Sequence, residues 1–295
     1  MSHSPHRRAL ILAGSALPLS LLSPAWASAP ATPPSATARL AMLEASEGGR
    51  LGVSAIDTGS GRRVDYRSNE RFAMCSTFKV MLAGAILHRS TQDAGLLERV
   101  LRYTRADLVT YSPITEKHLD SGLRVTDLCA AALQYSDNTA GNLLLRQVGG
   151  PAGLTAYARR LADPAFRLDR WETILNEAVP GDERDTTTPA AMAGSLRRLA
   201  LGDALPATAR EQLQRWLQGN TTGAGRIREG VPADWRVGDK TGSGDYGTTN
   251  DVAVLWPAHG APIVLTVYST QARRDAPTRT GLVAAATRIV VDALS

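Results

Sequence analysis

Ser76-Thr77-Phe78-Lys79, read with Lys240-Thr241-Gly242 far down the chain, decides how the rest of this sequence is organised. Of its 33 Lys and Arg residues only Lys79, Lys117 and Lys240 are Lys; elsewhere Arg serves as the cation. Arg is permanently charged, whereas a Lys amine gives up its proton when its pKa is depressed. A chain so short of Lys that keeps one beside a Ser points to a need for an amine there. Ser76 and Lys79 stand i, i+3, and Val80-Met81-Leu82 with Ala85-Ile86-Leu87 continue as an apolar helical run. Residues three apart share a helix face, so the amine can reach the hydroxyl. Ser76-Thr77 falls where the helix would begin. The unpaired N–H groups and positive dipole end at that point favour negative charge developing on oxygen. A serine needs an adjacent base to become a nucleophile, and a desolvated lysine can be one. The same serine would also serve as an ordinary helix cap, so the pair needs partners.

Working outward, the chain from Ser76 to about Leu217 is rich in Ala and Leu at helical spacing, as in Val125–Gln134 and Ala140–Val148. Before it, Ala36 to about Ser46 reads as a helix closed by Gly48-Gly49. Arg50–Asp57 and Arg62–Tyr66 read as strands joined by the turn Thr58-Gly59-Ser60-Gly61. After it, strands are expected over Arg236–Thr241, Thr248–Trp256 and Ala261–Thr270, with a closing helix from about Arg279 to Leu294. Strands at both ends around a helical middle predict an α/β fold: an antiparallel sheet flanked by helices and built from both chain ends, with an all-helical domain inserted. The expected boundaries are 30–74 and 218–295 for the discontinuous α/β domain. Residues 75–217 would form the all-α domain, including a loop at 170–185.

The first thirty residues read as a leader. His6-Arg7-Arg8 precedes an apolar run from Ala9 to about Leu22, then Pro24-Ala25-Trp26-Ala27-Ser28-Ala29. A basic start, a short apolar middle and an A-x-A end describe a cleaved export signal over residues 1–29, too short to span a bilayer. The paired arginines point to the twin-arginine route, and the mature protein is expected in the periplasm without a membrane anchor. A net charge of +5 and a pI of about 9.5 raise the question of nucleic acid. Arg is interleaved with acids, aromatics are only 5% and no nucleic-acid-binding motif is present, which argues against it. Cys75 and Cys129 lie among apolar neighbours and read as buried free thiols. No His stands near Cys75 in a pairing suited to a cysteine nucleophile.

Three further motifs supply partners. Ser136-Asp137-Asn138 sits between helical segments; its hydroxyl can relay a proton, and the Asn amide offers both a donor and an acceptor. The same triplet also makes a good helix cap. Lys240-Thr241-Gly242-Ser243-Gly244 follows a strand, with glycines that admit a close backbone or ligand and a cation and hydroxyls suited to a carboxylate. Between Arg170 and Asp185, Glu172 and Asn176 could hold a water between a carboxylate and an amide, as a general base requires.

Ser-x-x-Lys, Ser-Asp-Asn and Lys-Thr-Gly in this order are the set of class A β-lactamases and penicillin-binding proteins. With Glu172 and Asn176, the sequence resembles a class A serine β-lactamase along essentially the whole mature chain. The match extends to Tyr111-Ser112-Pro113, Gly149-Gly150-Pro151, Arg184-Asp185-Thr186-Thr187 and Gly238-Asp239. The resemblance implies a β-lactamase/transpeptidase-like fold, a monomer, no cofactor and no metal, with β-lactams and a catalytic water as the reaction's partners. It implies that Ser76 opens the ring of penicillins and cephalosporins to a covalent acyl-enzyme, with Lys79 or Glu172 as acylation base. It further implies that Glu172 and Asn176 direct the hydrolytic water and that Ser136 relays a proton to the leaving nitrogen. Asn138 would bind the acylamide side chain, and backbone N–H groups of Ser76 and Ser243 would form the oxyanion hole. Lys240, Thr241 and Ser243 would hold the carboxylate with Gly242 as a further substrate-binding position, Arg226 would add a guanidinium, Tyr111 would wall the mouth and Arg170 would pair with Asp185.

The sequence departs from the family pattern in places. Thr173 stands where many members have Pro, so the cis peptide the family carries there would be made without proline. Ala83 replaces the Cys that partners the Cys129 position in some members. Gly244 stands opposite Cys75, where the carbapenem-hydrolysing branch has a disulfide. Ser243-Gly244-Asp245 resembles enzymes active on extended-spectrum cephalosporins. Two rivals share the three motifs: a cell-wall peptidase, which would lack the Glu172 and Asn176 pair, and a β-lactam sensor, which would carry an anchor and a signalling domain. A zinc enzyme is excluded for want of a His, Cys and Asp ligand set.

Overall fold

The computed structural model describes residues 34–295, so the leader read at residues 1–29 lies outside the described residues. Helix α1 (Ala36–Glu47) ends at Gly48, whose φ of 72° and N–H bond to the Glu44 carbonyl close it as the glycine pair predicts. Strands β1 (Arg50–Asp57) and β2 (Arg63–Tyr66) form the expected hairpin. After the short β3 (Phe72–Ala73), a tight turn over Cys75–Thr77 leads into α2 (Phe78–Ser90).

The expectation of a continuously helical middle needs correction over residues 91–124. Polar, turn-forming residues such as Thr91, Gln92, Asp93 and Gly95 break the helical run, and the backbone is held by turns and by β4 (Val100–Leu101) pairing with β5 (Leu123–Arg124). Helices then resume: α3 (Val125–Gln134), α4 (Asn138–Gln147) and α5 (Gly150–Arg160). The loop after α5 returns through β6 (Thr186–Thr187), which pairs with β3, and is followed by α6 (Pro189–Ala200) and α7 (Ala207–Gln218). A four-residue turn of helix, α8 (Ile227–Gly230), precedes β7 (Arg236–Gly244), β8 (Thr248–Trp256), β9 (Ile263–Thr270) and α9 (Thr280–Leu294).

The main sheet runs β2-β1-β9-β8-β7, every neighbouring pair antiparallel. Both chain ends contribute, and β9 from the C-terminal end is the middle strand. Successive side chains of a strand face opposite sides, and here both sides are apolar. Val252, Val254 and Val264 face the core built with α2 to α7. Ala253, Leu255 and Leu265 face a second core with α1 and α9. The strand expected to stop at Thr241 continues to Gly244, because its register with β8 runs on to Gly244 opposite Thr248. Cys75 and Cys129 are buried free thiols, and burial pushes both pKa values up. No helix among the described residues is long and apolar enough to cross a membrane.

Candidate active site

The turn at the head of α2 meets edge strand β7 because β7 carries a glycine at the contact. A Cβ on Gly242 would stand 2.7 Å from the Met74 carbonyl oxygen and 3.1 Å from a Thr77 methyl. Gly244 makes the corresponding approach to the loop, where a Cβ would meet the Asn176 carbonyl at 2.5 Å. The glycines of this motif therefore admit backbone.

Between these elements lies a cleft of about 360 Å³. Nine of the residues singled out in the sequence line it: Ser76, Tyr111, Ser136, Asn138, Asn176, Arg226, Thr241, Gly242 and Ser243. The other three, Lys79, Glu172 and Lys240, are buried beside it. Cys75, Tyr111 and Ser136 have φ values of 45°, 63° and 60°. Such left-handed conformations in residues other than glycine cluster at functional sites, where surrounding structure holds them. They set Ser76, the 57% exposed Tyr111 ring and the Ser136 hydroxyl around one opening.

Lys79 Nζ lies 3.0 Å from Ser76 Oγ, 2.9 Å from Glu172 Oε1, 2.9 Å from the Ser136 carbonyl and 2.7 Å from Asn138 Oδ1. Asn138 Nδ2 donates to the Thr110 carbonyl, which fixes that amide with its oxygen toward the lysine. Three of the four neighbours can only accept, and an ammonium has three protons. This is the hydrogen-bond environment of a charged lysine. Ser76 Oγ in turn donates to Glu172 Oε1 at 3.2 Å.

The Glu172 loop is tied at several points. Arg170 Nε pairs with Asp185 Oδ2 at 2.5 Å, and Asp185 Oδ1 accepts the N–H groups of Asp169 and Arg170. The Glu172–Thr173 peptide is cis. Asn176 Nδ2 donates to Glu172 Oε2 at 2.6 Å, while Asn176 Oδ1, buried, has no partner among the described residues. Asn142 was not singled out from the sequence, yet its amide clamps both the N–H (3.0 Å) and the carbonyl (2.9 Å) of Glu172. The available signal was its place one helical turn after Asn138, on the same face of α4.

On the other side of Ser136, Lys240 Nζ donates to Ser136 Oγ at 3.0 Å and to the Thr241 carbonyl at 2.7 Å. Burial, then the charges of Lys79 and Arg226, push the Lys240 pKa well down. Arg226 donates to the carbonyls of Gly242 (2.8 Å) and Asn250 (2.6 Å) and to Ser243 Oγ (2.7 Å), and burial lowers its pKa. Its guanidinium thus braces β7 from behind as well as lining the cleft. Asp137 caps α4 through the Ala140 N–H and also accepts from the backbone of Ile114 and Thr115, so Ser-Asp-Asn is a cap and a site motif at once. Thr222 completes the lining; the sequence reading passed over it.

A serine, a buried lysine–carboxylate pair and a cationic far wall on this sheet define a penicillin-recognising serine hydrolase in geometry. A profile of the β-lactamase enzyme family matches residues 35–294, and the chain belongs to that family. It is 53% identical to β-lactamase OXY-1 of Klebsiella oxytoca over the whole of both chains. It is 56% identical to the carbapenem-hydrolysing β-lactamase KPC of Klebsiella oxytoca, over 86% of this chain and 87% of that one. The crystal structure of a β-lactamase from Desulfarculus baarsii superposes with a TM-score of 0.87 at 58% identity, covering 88% of this chain and 97% of that one.

Proposed function

We propose that this protein hydrolyses the β-lactam ring of penicillins and cephalosporins through an acyl-enzyme on Ser76. The observation that carries the reading is the buried Ser76–Lys79–Glu172 cluster with Asn176 on the carboxylate's second oxygen. A peptidase or sensor sharing the other motifs has no use for a base poised there.

The hydrogen bonds support one placement of the protons. Lys79, its three protons facing acceptors, is the charged partner. Glu172 is the base that takes the Ser76 proton, directly or through a water, as the serine oxygen attacks the lactam carbonyl. Backbone N–H groups of Ser76 and Ser243 face the resulting oxyanion; each such donor is worth about 3 kcal/mol in the transition state. Ser136 Oγ accepts from Lys240 and so keeps its own proton to give to the departing lactam nitrogen. The proton that Glu172 took returns to Ser136 by way of Lys79, which lies 2.9 Å from Glu172 Oε1 and 2.9 Å from the Ser136 carbonyl. Glu172, ionised again, then deprotonates a water held with Asn176 Oδ1, and that water cleaves the ester. Lys240, Thr241, Gly242 and Ser243 take the substrate carboxylate with Arg226 behind them. Asn138 meets the acylamide and Tyr111 walls the mouth.

In this reading the chain divides into a discontinuous α/β domain (30–74 and 218–295) and an all-α domain (75–217), with the cleft at their seam. The leader directs a monomer to the periplasm by the twin-arginine route, where hydrolysis confers β-lactam resistance. The Ser243-Gly244-Asp245 sequence extends the range to cefotaxime; benzylpenicillin turnover without cefotaxime turnover would refute that extension. Mass spectrometry of the mature protein mixed with benzylpenicillin, beside Glu172→Ala, tests the whole. Turnover by the native protein and a trapped Ser76 adduct in the variant are expected. A stable adduct on the native protein favours the peptidase or sensor.

A further inference from the structure

Thr222, on the polar turn between α7 and α8, has its Oγ1 2.6 Å from Thr241 Oγ1. The atoms behind them settle which one donates. Asn220 Oδ1 accepts the Thr222 backbone N–H at 3.0 Å, so that end of the amide is the oxygen. Its Nδ2 therefore faces Asp239, donating to Oδ2 at 2.5 Å, while Arg228 Nε donates to Asp239 Oδ1 at 2.6 Å. Thr222 Oγ1 lies 2.8 Å from Asn220 Oδ1, an atom that can only accept. A hydroxyl has one proton. With that proton committed to Asn220, Thr222 turns lone pairs toward Thr241, and Thr241 must donate to Thr222.

The Thr241 proton is then spent on Thr222, its neighbour in the cleft wall, and is not free for the anion that Lys240 and Arg226 make this wall suited to bind. We propose that the Asp239–Asn220–Thr222 chain holds the Thr241 hydroxyl on Thr222 in the free protein, and that seating a substrate carboxylate reverses both threonine hydroxyls. After reversal Thr241 donates to the carboxylate, Thr222 donates to Thr241, and Asn220 Oδ1 keeps only the Thr222 N–H. One internal hydrogen bond is given up for each carboxylate bound. Thr222 is thus a positioning residue that sets the affinity of the carboxylate subsite through Thr241. The identity of the anion rests on the β-lactam reading above; the direction of the hydroxyls in the free protein does not.

Two measurements test this. Neutron diffraction from the free, deuterium-exchanged protein should place the deuteron between the threonines on Thr241 Oγ1 and a second one on Thr222 Oγ1 facing Asn220. A deuteron on Thr222 facing Thr241 overturns the proposal. Calorimetry in a Ser76→Ala background, where the ring stays closed, should show Thr222→Val binding benzylpenicillin about fivefold more tightly, the worth of one hydrogen bond. Thr222→Ser should restore the original Kd, and the methyl ester of benzylpenicillin, which lacks the carboxylate, should show no change. Weaker binding by Thr222→Val would make Thr222 a direct ligand contact, and an unchanged Kd or an equal shift for the ester would also overturn the idea. Failure of the native enzyme to hydrolyse benzylpenicillin counts against the proposed function alone, because the neutron assignment needs no substrate.

Discussion

Lys79 and Lys240 are both wholly buried, and both reach Ser136, one at its carbonyl and the other at its hydroxyl. Lys79 meets the Glu172 carboxylate at 2.9 Å and three further oxygens. Lys240 makes no ion pair among the described residues; it has a hydroxyl and a carbonyl, with Asp239 and Asp251 acting on it only at a distance. Burying a charge is costly unless it is paired. One lysine is therefore completed by the protein and the other is held short of its counter-charge. A substrate carboxylate would do for Lys240 what Glu172 does for Lys79. The same residue type serves as a fixed charge in one corner and as a receptor in the other.

Substitutions test that contrast. Lys79→Ala, which removes the charge bonded to both Ser76 and Glu172, should lower kcat/KM by about 10³-fold in steady-state assays. It leaves the Glu172 carboxylate buried and unpaired, so urea unfolding should also show a loss of about 3–5 kcal/mol. Lys240→Ala should act mainly on KM, raising it about 10²-fold for substrates with a carboxylate. A fall in kcat as deep as that of Lys79→Ala would break the distinction between the two corners. The pH profile sharpens it. The ammonium form of Lys240 attracts the carboxylate, so KM should climb as pH rises through its lowered pKa, by about tenfold per pH unit above it. That rise should begin below the ordinary lysine range, and a KM flat up to about pH 10 would show that Lys240 stays charged or is not a receptor. Lys117→Ala is the smallest effect and the control: this third lysine is exposed, and its loss should change kcat and KM by about twofold at most.

The sequence made the motif residues legible because each motif is local. Ser76 and Lys79 are one helical turn apart, and a cap triplet or a strand with glycines announces itself within five residues. The hairpin β1–β2 and the terminal helix α9 were legible for the same reason. Thr222 and Asn142 were not, since their roles depend on atoms brought from elsewhere in the chain: Thr241 beside Thr222, and the Glu172 backbone beside Asn142. The reach of β7 to Gly244 was hidden as well. Glycines read as the end of a strand, and only pairing with β8 and the close approaches at Met74 and Asn176 show why they continue one. Residues 91–124 misled because scattered apolar residues there pack onto the helical core without a helical backbone.

The antiparallel register of β1 with β9, from Arg50 opposite Thr270 to Asp57 opposite Ile263, also sets a timetable. The middle strand of the sheet is the last one the ribosome makes. Until it emerges, β1 and β2 are a lone hairpin, which is marginal in water. Pairings between distant parts of a chain form slowly, so the sheet stays unfinished until Ile263–Thr270 has been made. A chain cut short before Ile263 lacks the strand that joins its two halves and leaves both apolar faces of the sheet open to proteases.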